Sequence, residues 1–130
     1  MPSFVVNRVA DALNEQRKRI KGSKILGVGA AYKRDTNDIR ESPALDVLTK
    51  LREKGAIVHY CDLYVPSILF LGEKLESCRL ESDFLQSIDC AVVLADHSNI
   101  DYEMLARNSS VIVDTRNAIK DFSGSNIVRL

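Results

Sequence analysis

Lys33, Arg34 and Arg40 fall within one stretch, Tyr32-Lys33-Arg34-Asp35-Thr36-Asn37-Asp38-Ile39-Arg40, and Arg116 stands in Asp114-Thr115-Arg116-Asn117. A compact ammonium and planar guanidinium forks suit an anion with several oxygens, and phosphate fits that description. Charge alone favours a plainer reading, a solvated loop in which Asp35, Asp38 and Glu41 neutralise the cations. His97, next to Asp96, reads either as a base or as a hydrogen-bonded loop residue. Asp62 reads either as a ligand for a ribose hydroxyl or as a turn former. Gly27-Val28-Gly29-Ala30-Ala31-Tyr32 begins like a dinucleotide fingerprint, but tyrosine stands where a third glycine would allow close helix–strand packing. Cys61, Cys78 and Cys90 are odd in number and fall in no CxxC spacing, which suggests neither a disulfide framework nor a zinc site. No Ser-His-Asp order, metal-ligand helix or complete phosphate loop is present, so neither a self-sufficient catalytic set nor a metal site is expected.

The elements that must position these groups follow from periodicity. Val5, Val6, Val9, Ala12, Leu13 and Ile20 recur at helical steps among charged residues, predicting an amphipathic helix that Lys21-Gly22-Ser23 stops. Lys24 to Gly29 reads as a buried strand. A helix opens at Ser42-Pro43, with Leu45, Leu48 and Leu51 on its core face and Gly55 as its cap. Strands are predicted at Ala56 to Cys61, Cys90 to Leu94, Ser110 to Val113 and Asn126 to Leu130, and helices from Ser82 to Ile88 and Tyr102 to Arg107. Leu69 to Arg79 reads as irregular. Nearly all-apolar strands alternating with amphipathic helices require a parallel sheet covered on both faces. The expected fold is therefore a Rossmann-like α/β three-layer sandwich with a mainly parallel sheet, preceded by an N-terminal amphipathic helix.

Ligands of such sheets collect at the carboxyl ends of the strands. That rule selects the stretch from Tyr32 to Arg40, then Asp62, Asp96-His97-Ser98 and Asp114 to Asn117, and it narrows the gap between the anion site and the solvated loop. Because the second helix starts only near Ser42, a long loop replaces the tight turn that would seat a pyrophosphate on a helix N-terminus. A complete NAD site is not expected in this chain.

At 130 residues with 45% hydrophobic content, the chain suits one core. Lys plus Arg and Asp plus Glu both number 18, and the absence of an uninterrupted basic run argues against nucleic acid or an anionic membrane as partner. The longest apolar runs fall well short of the roughly 20 residues of a membrane-spanning helix, and the N-terminus lacks an export signal, so a cytoplasmic chain is expected.

Gly29-Ala30-Ala31-Tyr32-Lys33-Arg34-Asp35-Thr36-Asn37-Asp38-Ile39-Arg40-Glu41-Ser42-Pro43-Ala44 resembles the signature of the C-terminal domain of the UDP-glucose/GDP-mannose dehydrogenase family. Met1-Pro2, Val5-Val6 with Arg8, Tyr64-Val65-Pro66, Asp96-His97-Ser98 and Asp114-Thr115-Arg116-Asn117 extend the resemblance over essentially the whole chain. The last two segments look most like the branch that oxidises UDP-N-acetylhexosamines. The resemblance implies NAD-dependent oxidation of a sugar C6 alcohol to a carboxylate, for surface polysaccharides. It implies that Tyr32, Lys33 and Arg116 serve the nucleotide sugar and that Arg40 reaches towards the NAD phosphates across a domain cleft. The family's glycine-rich segment around a nucleophilic cysteine is absent, as is its N-terminal cofactor domain, and Leu63 stands where proline commonly follows the aspartate.

Residues 1–22 are thus expected to be the end of a connecting, dimerising helix and residues 23–130 the UDP-sugar-binding domain. Its partners would be a UDP-sugar and the missing N-terminal and central dehydrogenase domains. This chain alone would bind no cofactor stably and catalyse nothing. The alternative is a free-standing nucleotide-sugar-binding or assembly module that works with a separate polypeptide. The helix's apolar stripe of Val5, Val9, Ala12 and Leu13, bereft of its usual neighbours, is expected to drive self-association into a homo-oligomer.

Overall fold

A computed structural model describes residues 2–30, 43–119, 124 and 126–129. Tyr32, Lys33, Arg34 and Arg40, and Ser42 ahead of the second helix, lie outside the described residues.

The elements run α1 (Pro2–Glu15), β1 (Lys24–Val28), α2 (Pro43–Glu53), β2 (Ile57–Cys61), β3 (Ser67–Phe70), β4 (Glu73–Glu76), α3 (Ser82–Ser87), β5 (Cys90–Val93), α4 (Tyr102–Asn108), β6 (Ile112–Asp114) and β7 (Ile127–Arg129). Among the described residues, five strands form one sheet in the order β2-β1-β5-β6-β7, every pairing parallel. This is the α/β arrangement that the strand–helix alternation demands.

Successive residues of each central strand face opposite layers, so the core divides in two. Ile25, Val58, Tyr60, Val92 and Val113 pack with α1 and α2, whereas Leu26, Val28, Ala91, Val93 and Ile112 pack with α3 and α4. The position of α1 corrects the expectation drawn from its stripe. Val9 and Leu13 are 0% exposed, and Val5, Val6 and Ala12 are buried beside them. The crossovers carrying α3 and α4 cover the far face, and α2 covers β2 on the near one. Among the described residues α1 shields β5 and β6 on that near face, packed beside α2. Folding back removes the stripe from water within the chain, so the apolar surface expected to drive self-association is not available.

Two boundaries differ from the sequence reading. The first helix stops at Glu15 rather than at Lys21-Gly22-Ser23, because Arg17 adopts a left-handed backbone at φ 59° and the Lys18 amide reaches back to the Leu13 carbonyl at 2.9 Å. That is a Schellman closure made without glycine, which composition does not reveal. Helix α3 is entered from Glu81, which makes no side-chain cap, and Ser82 is its first helical residue, not its cap.

An antiparallel hairpin, β3 with β4, begins at Ser67 and runs into the stretch from Leu69 that reads as irregular. Its period-two burial is real but short: Ile68 and Phe70 enter the α1–α2 side of the core while Leu69 and Leu71 stay exposed. The two-residue connection Leu71-Gly72 has φ of 50° and 82°, the primed turn that matches strand twist, built with leucine where asparagine or glycine is the usual signal. No helix among the described residues is long and apolar enough to cross a membrane.

Candidate functional site

In a doubly wound sheet the two crossover directions diverge at one point, and the crevice there receives the ligand. Here α2 leads from β1 to β2, and the chain then returns past β1 to β5, so the switch lies between β1 and β5. The exits of β1 and β5 approach closely. Gly29 has φ +92°, and a Cβ on it would lie 2.6 Å from the Ala95 Cβ and 2.9 Å from the Ala95 amide nitrogen. The second glycine of the truncated fingerprint is therefore required by contact between strand exits rather than by a pyrophosphate turn.

Arg116 follows β6 and is exposed at this end of the sheet. Its Nε donates to the Leu94 carbonyl at 3.0 Å, which ties the guanidinium to the exit of β5. Its Nη groups make no hydrogen bond among the described residues. A fork anchored at its base with its tips exposed is pre-organised for a phosphate oxygen pair. Asp114 shapes the turn beneath it: Oδ1 accepts from the Arg116 and Ala118 amides, both at 3.1 Å, and Oδ2 accepts from Ile119 at 3.0 Å. Asn117 completes the turn at φ 53°, a left-handed position that asparagine tolerates. Thr115 fixes the same loop to β5 by donating its hydroxyl to the Val93 carbonyl at 2.6 Å.

Asp62 and His97, each ambiguous by itself in the sequence, are partners. Asp62 Oδ2 lies 2.9 Å from His97 Nε2 and accepts the Ala30 amide at 2.8 Å, and Oδ1 accepts the Tyr64 amide at 2.9 Å. The Tyr64 ring meets the imidazole edge-on at a centroid distance of 5.0 Å. Asp96 instead accepts the Tyr102 hydroxyl at 2.8 Å. The sequence placed Asp62 and His97 at strand ends, but their partnership depends on β2 and β5 flanking β1, and strand order is not written in local pattern. The structure thus brings Arg116, His97 and Asp62 to one end of the sheet.

Burial displaces all three thiols away from the thiolate form. Burial raises Cys61 to about 11, assisted by Cys78 and Asp62 and only partly offset by a hydrogen bond with Ser77. Burial raises Cys90 to about 12, with the Asp89 charge adding to it, and burial also raises Cys78. An activated cysteine needs the opposite displacement. Among the described residues no cluster of His, Cys, Asp or Glu is arranged to hold a metal ion.

A basic cleft of about 560 Å3 lies at the opposite, amino end of the strands, lined by Arg17, Lys18, Arg19, Lys21 and Asp89 among others. Its Lys18 is paired with Asp89 at 2.7 Å.

The sheet order, with its switch between β1 and β5 and Arg116 tethered beside it, defines a doubly wound α/β domain. The chain belongs to the UDP-glucose/GDP-mannose dehydrogenase family, whose UDP binding domain matches residues 26–121. It is 30% identical over 128 residues to a UDP-N-acetyl-D-mannosamine dehydrogenase of Methanococcus maripaludis, covering 92% of this chain and 28% of that protein. It is also 30% identical over 116 residues to the UDP-glucose 6-dehydrogenase TuaD of Bacillus subtilis, covering 84% of this chain and 25% of the relative. Among solved structures, a dehydrogenase for NDP-N-acetyl-D-galactosaminuronic acid from Methanosarcina mazei superposes with a TM-score of 0.77 at 29% identity, covering all of this chain and 28% of its own. The UDP-D-ManNAc dehydrogenase of Pyrococcus horikoshii, 24% identical, shares the fold at a TM-score of 0.79 over 99% of this chain and 30% of its own. The chain spans less than a third of the length of these relatives.

Proposed function

We propose that this chain is the UDP-sugar-binding domain of an NAD-dependent UDP-sugar 6-dehydrogenase, which oxidises the sugar C6 alcohol to a carboxylate for polysaccharide precursors. The observation that carries the reading is Arg116, anchored through Nε at the exit of β5 with its Nη pair exposed beside the switch point. In this role Arg116 holds the diphosphate, Lys33 contacts the nucleotide sugar with Tyr32 packed beside it, and Arg40 reaches the phosphates of NAD bound by another domain. The substrate class assigned is a UDP-N-acetylhexosamine, on the strength of the Asp96-His97-Ser98 and Asp114-Thr115-Arg116-Asn117 segments. Hydride acceptance belongs to NAD and covalent catalysis to a cysteine in a glycine-rich segment that these residues do not contain. The 130 residues alone therefore bind without turning over.

Calorimetric titration of the purified chain with UDP and with UDP-N-acetylhexosamines tests this. The account expects saturable binding that Arg116→Ala weakens about tenfold or more, in line with loss of a charge-assisted pair of hydrogen bonds. It expects no NAD reduction with any UDP-hexose. Absence of UDP binding, equal affinity in the variant, or turnover by the isolated chain would each overturn the corresponding part.

A further inference from the structure

We infer that Asp62 and His97 form a positioning pair that sets the mouth of the switch-point crevice for the diphosphate of a nucleotide sugar; the inference rests on the UDP-sugar reading above and deepens it. Both side chains are buried, at 0% and 1% exposed, so any effect on a ligand passes through what they hold. What they hold is three strand exits at once. Asp62 leaves β2, the Ala30 amide leaves β1, and His97 belongs to the segment leaving β5.

The parallel ladder stops short of Ala30, Asp62 and His97. Its last backbone bonds run from Gly29 to the Cys61 carbonyl and from Leu94 and Ala95 to the Val28 carbonyl. Above them, one carboxylate bridges across the end of β1, and the missing side chain of Gly29 is what lets Ala95 close in beneath. The Ala30 amide hydrogen bond to Asp62, at 2.8 Å, fixes the exit of β1 against that of β2. On the other side, His97 continues the segment from Leu94, whose carbonyl tethers Arg116 and whose own amide is held by the Val28 carbonyl at 2.8 Å. One buried pair therefore ties together the strand exits that stand beside the proposed phosphate site.

A buried carboxylate is sensitive to the loss of a donor, because the acceptor left behind seeks another partner and the segments it joined separate. Removing the imidazole should shift the crevice without dismantling the sheet, whose strands remain paired. Glutamine at the same position keeps an N–H that can reach Asp62 Oδ2.

The test is UDP titration of the full 130-residue chain and its variants, with thermal melts run alongside. His97→Ala is expected to weaken UDP binding about tenfold, and His97→Gln to recover it to within about threefold of the parent. The chain has two histidines, so imidazole resonances give a direct signature. Those of His97 should shift on UDP addition, whereas those of His59, edge-on to Phe84 at 5.7 Å, should stay. Should His97→Ala not fold, the glutamine variant and the resonances of the parent chain decide. If the parent binds UDP and His97→Ala binds equally, if glutamine restores nothing, or if the His97 resonances do not move, the pair is only structural and the UDP-sugar reading survives. If the parent binds no UDP, that reading falls and takes the pair's role with it.

Discussion

With Cys61 raised to about 11 and Cys90 to about 12, both thiols are almost wholly protonated at pH 8, where an ordinary cysteine is already partly thiolate. Alkylation of the folded chain at pH 8 should therefore run about a hundredfold slower at Cys61 than in denaturant, and slower still at Cys90, since the thiolate is the reactive species. Rapid labelling of Cys61 in the folded state would contradict the burial that raises it. The sign for stability follows. A folded pKa above the unfolded value of 9.0 contributes stability that is fully present below pH 9 and is lost as pH climbs through 11 to 12. Asp89 acts at the other end of the scale. Partial burial alone would raise its carboxyl, but hydrogen bonds from Lys18 and the Lys24 amide, with the charges of both lysines, hold it below the ordinary value. Its contribution is present above pH 3.8 and is lost as pH falls through the lowered folded value. Lys18 is 43% exposed, so solvent screening keeps the pair's worth below about 1 kcal/mol. Asp89→Asn should accordingly lower the melting temperature slightly at pH 7 and leave it unchanged once pH has fallen below the folded value, which flattens the acid limb of the profile.

Single elements were legible in proportion to their length and periodicity. The five strands of the parallel sheet and the helix opening at Pro43 could be read because each has an apolar run or a helical stripe bounded by turn residues. The β3–β4 hairpin could not, since its connection Leu71-Gly72 carries no asparagine and only two of its residues are deeply buried. That same irregularity gives a prediction: Leu71→Asn should stabilise the chain by about 0.5–1 kcal/mol, because asparagine tolerates the left-handed backbone that leucine is forced into. Chemical denaturation measures it, and an unchanged or lower midpoint would show that the exposed leucine contributes packing of its own. At the β1 exit the reverse holds. Gly29→Ala meets both a φ of +92° and a Cβ 2.6 Å from that of Ala95, and should cost about 2–4 kcal/mol as backbone strain and overpacking combine. A variant as stable as the parent would mean that the two strand exits are less tightly apposed than described.

Across the whole molecule, α1 supplies the layer that the crossovers leave bare over β5 and β6. Its periodicity was visible in the sequence, but the surface that its stripe covers depends on crossover handedness and strand order, both of which are properties of the assembled sheet. Val9→Asp places a charge at a position that is 0% exposed, and should destabilise the fold by roughly 3 kcal/mol or more instead of dissociating an oligomer. A folded variant that merely sediments more slowly would restore the partner-seeking role of the stripe. The candidate site was legible as a set of loops at the carboxyl ends of the strands, while the pairing of Asp62 with His97 and the tether of Arg116 to Leu94 required three dimensions. Two ends of the sheet therefore offer cations, Arg116 at the carboxyl end and Arg17, Arg19 and Lys21 at the amino-end cleft. The central claim is that UDP binds at the first. Backbone amide chemical-shift mapping of the chain during titration with UDP separates them: saturable shifts should concentrate at Ala30, Ala95 to Ser98 and Thr115 to Asn117, whereas shifts confined to Arg17 to Gly22, or none at all, would contradict the account.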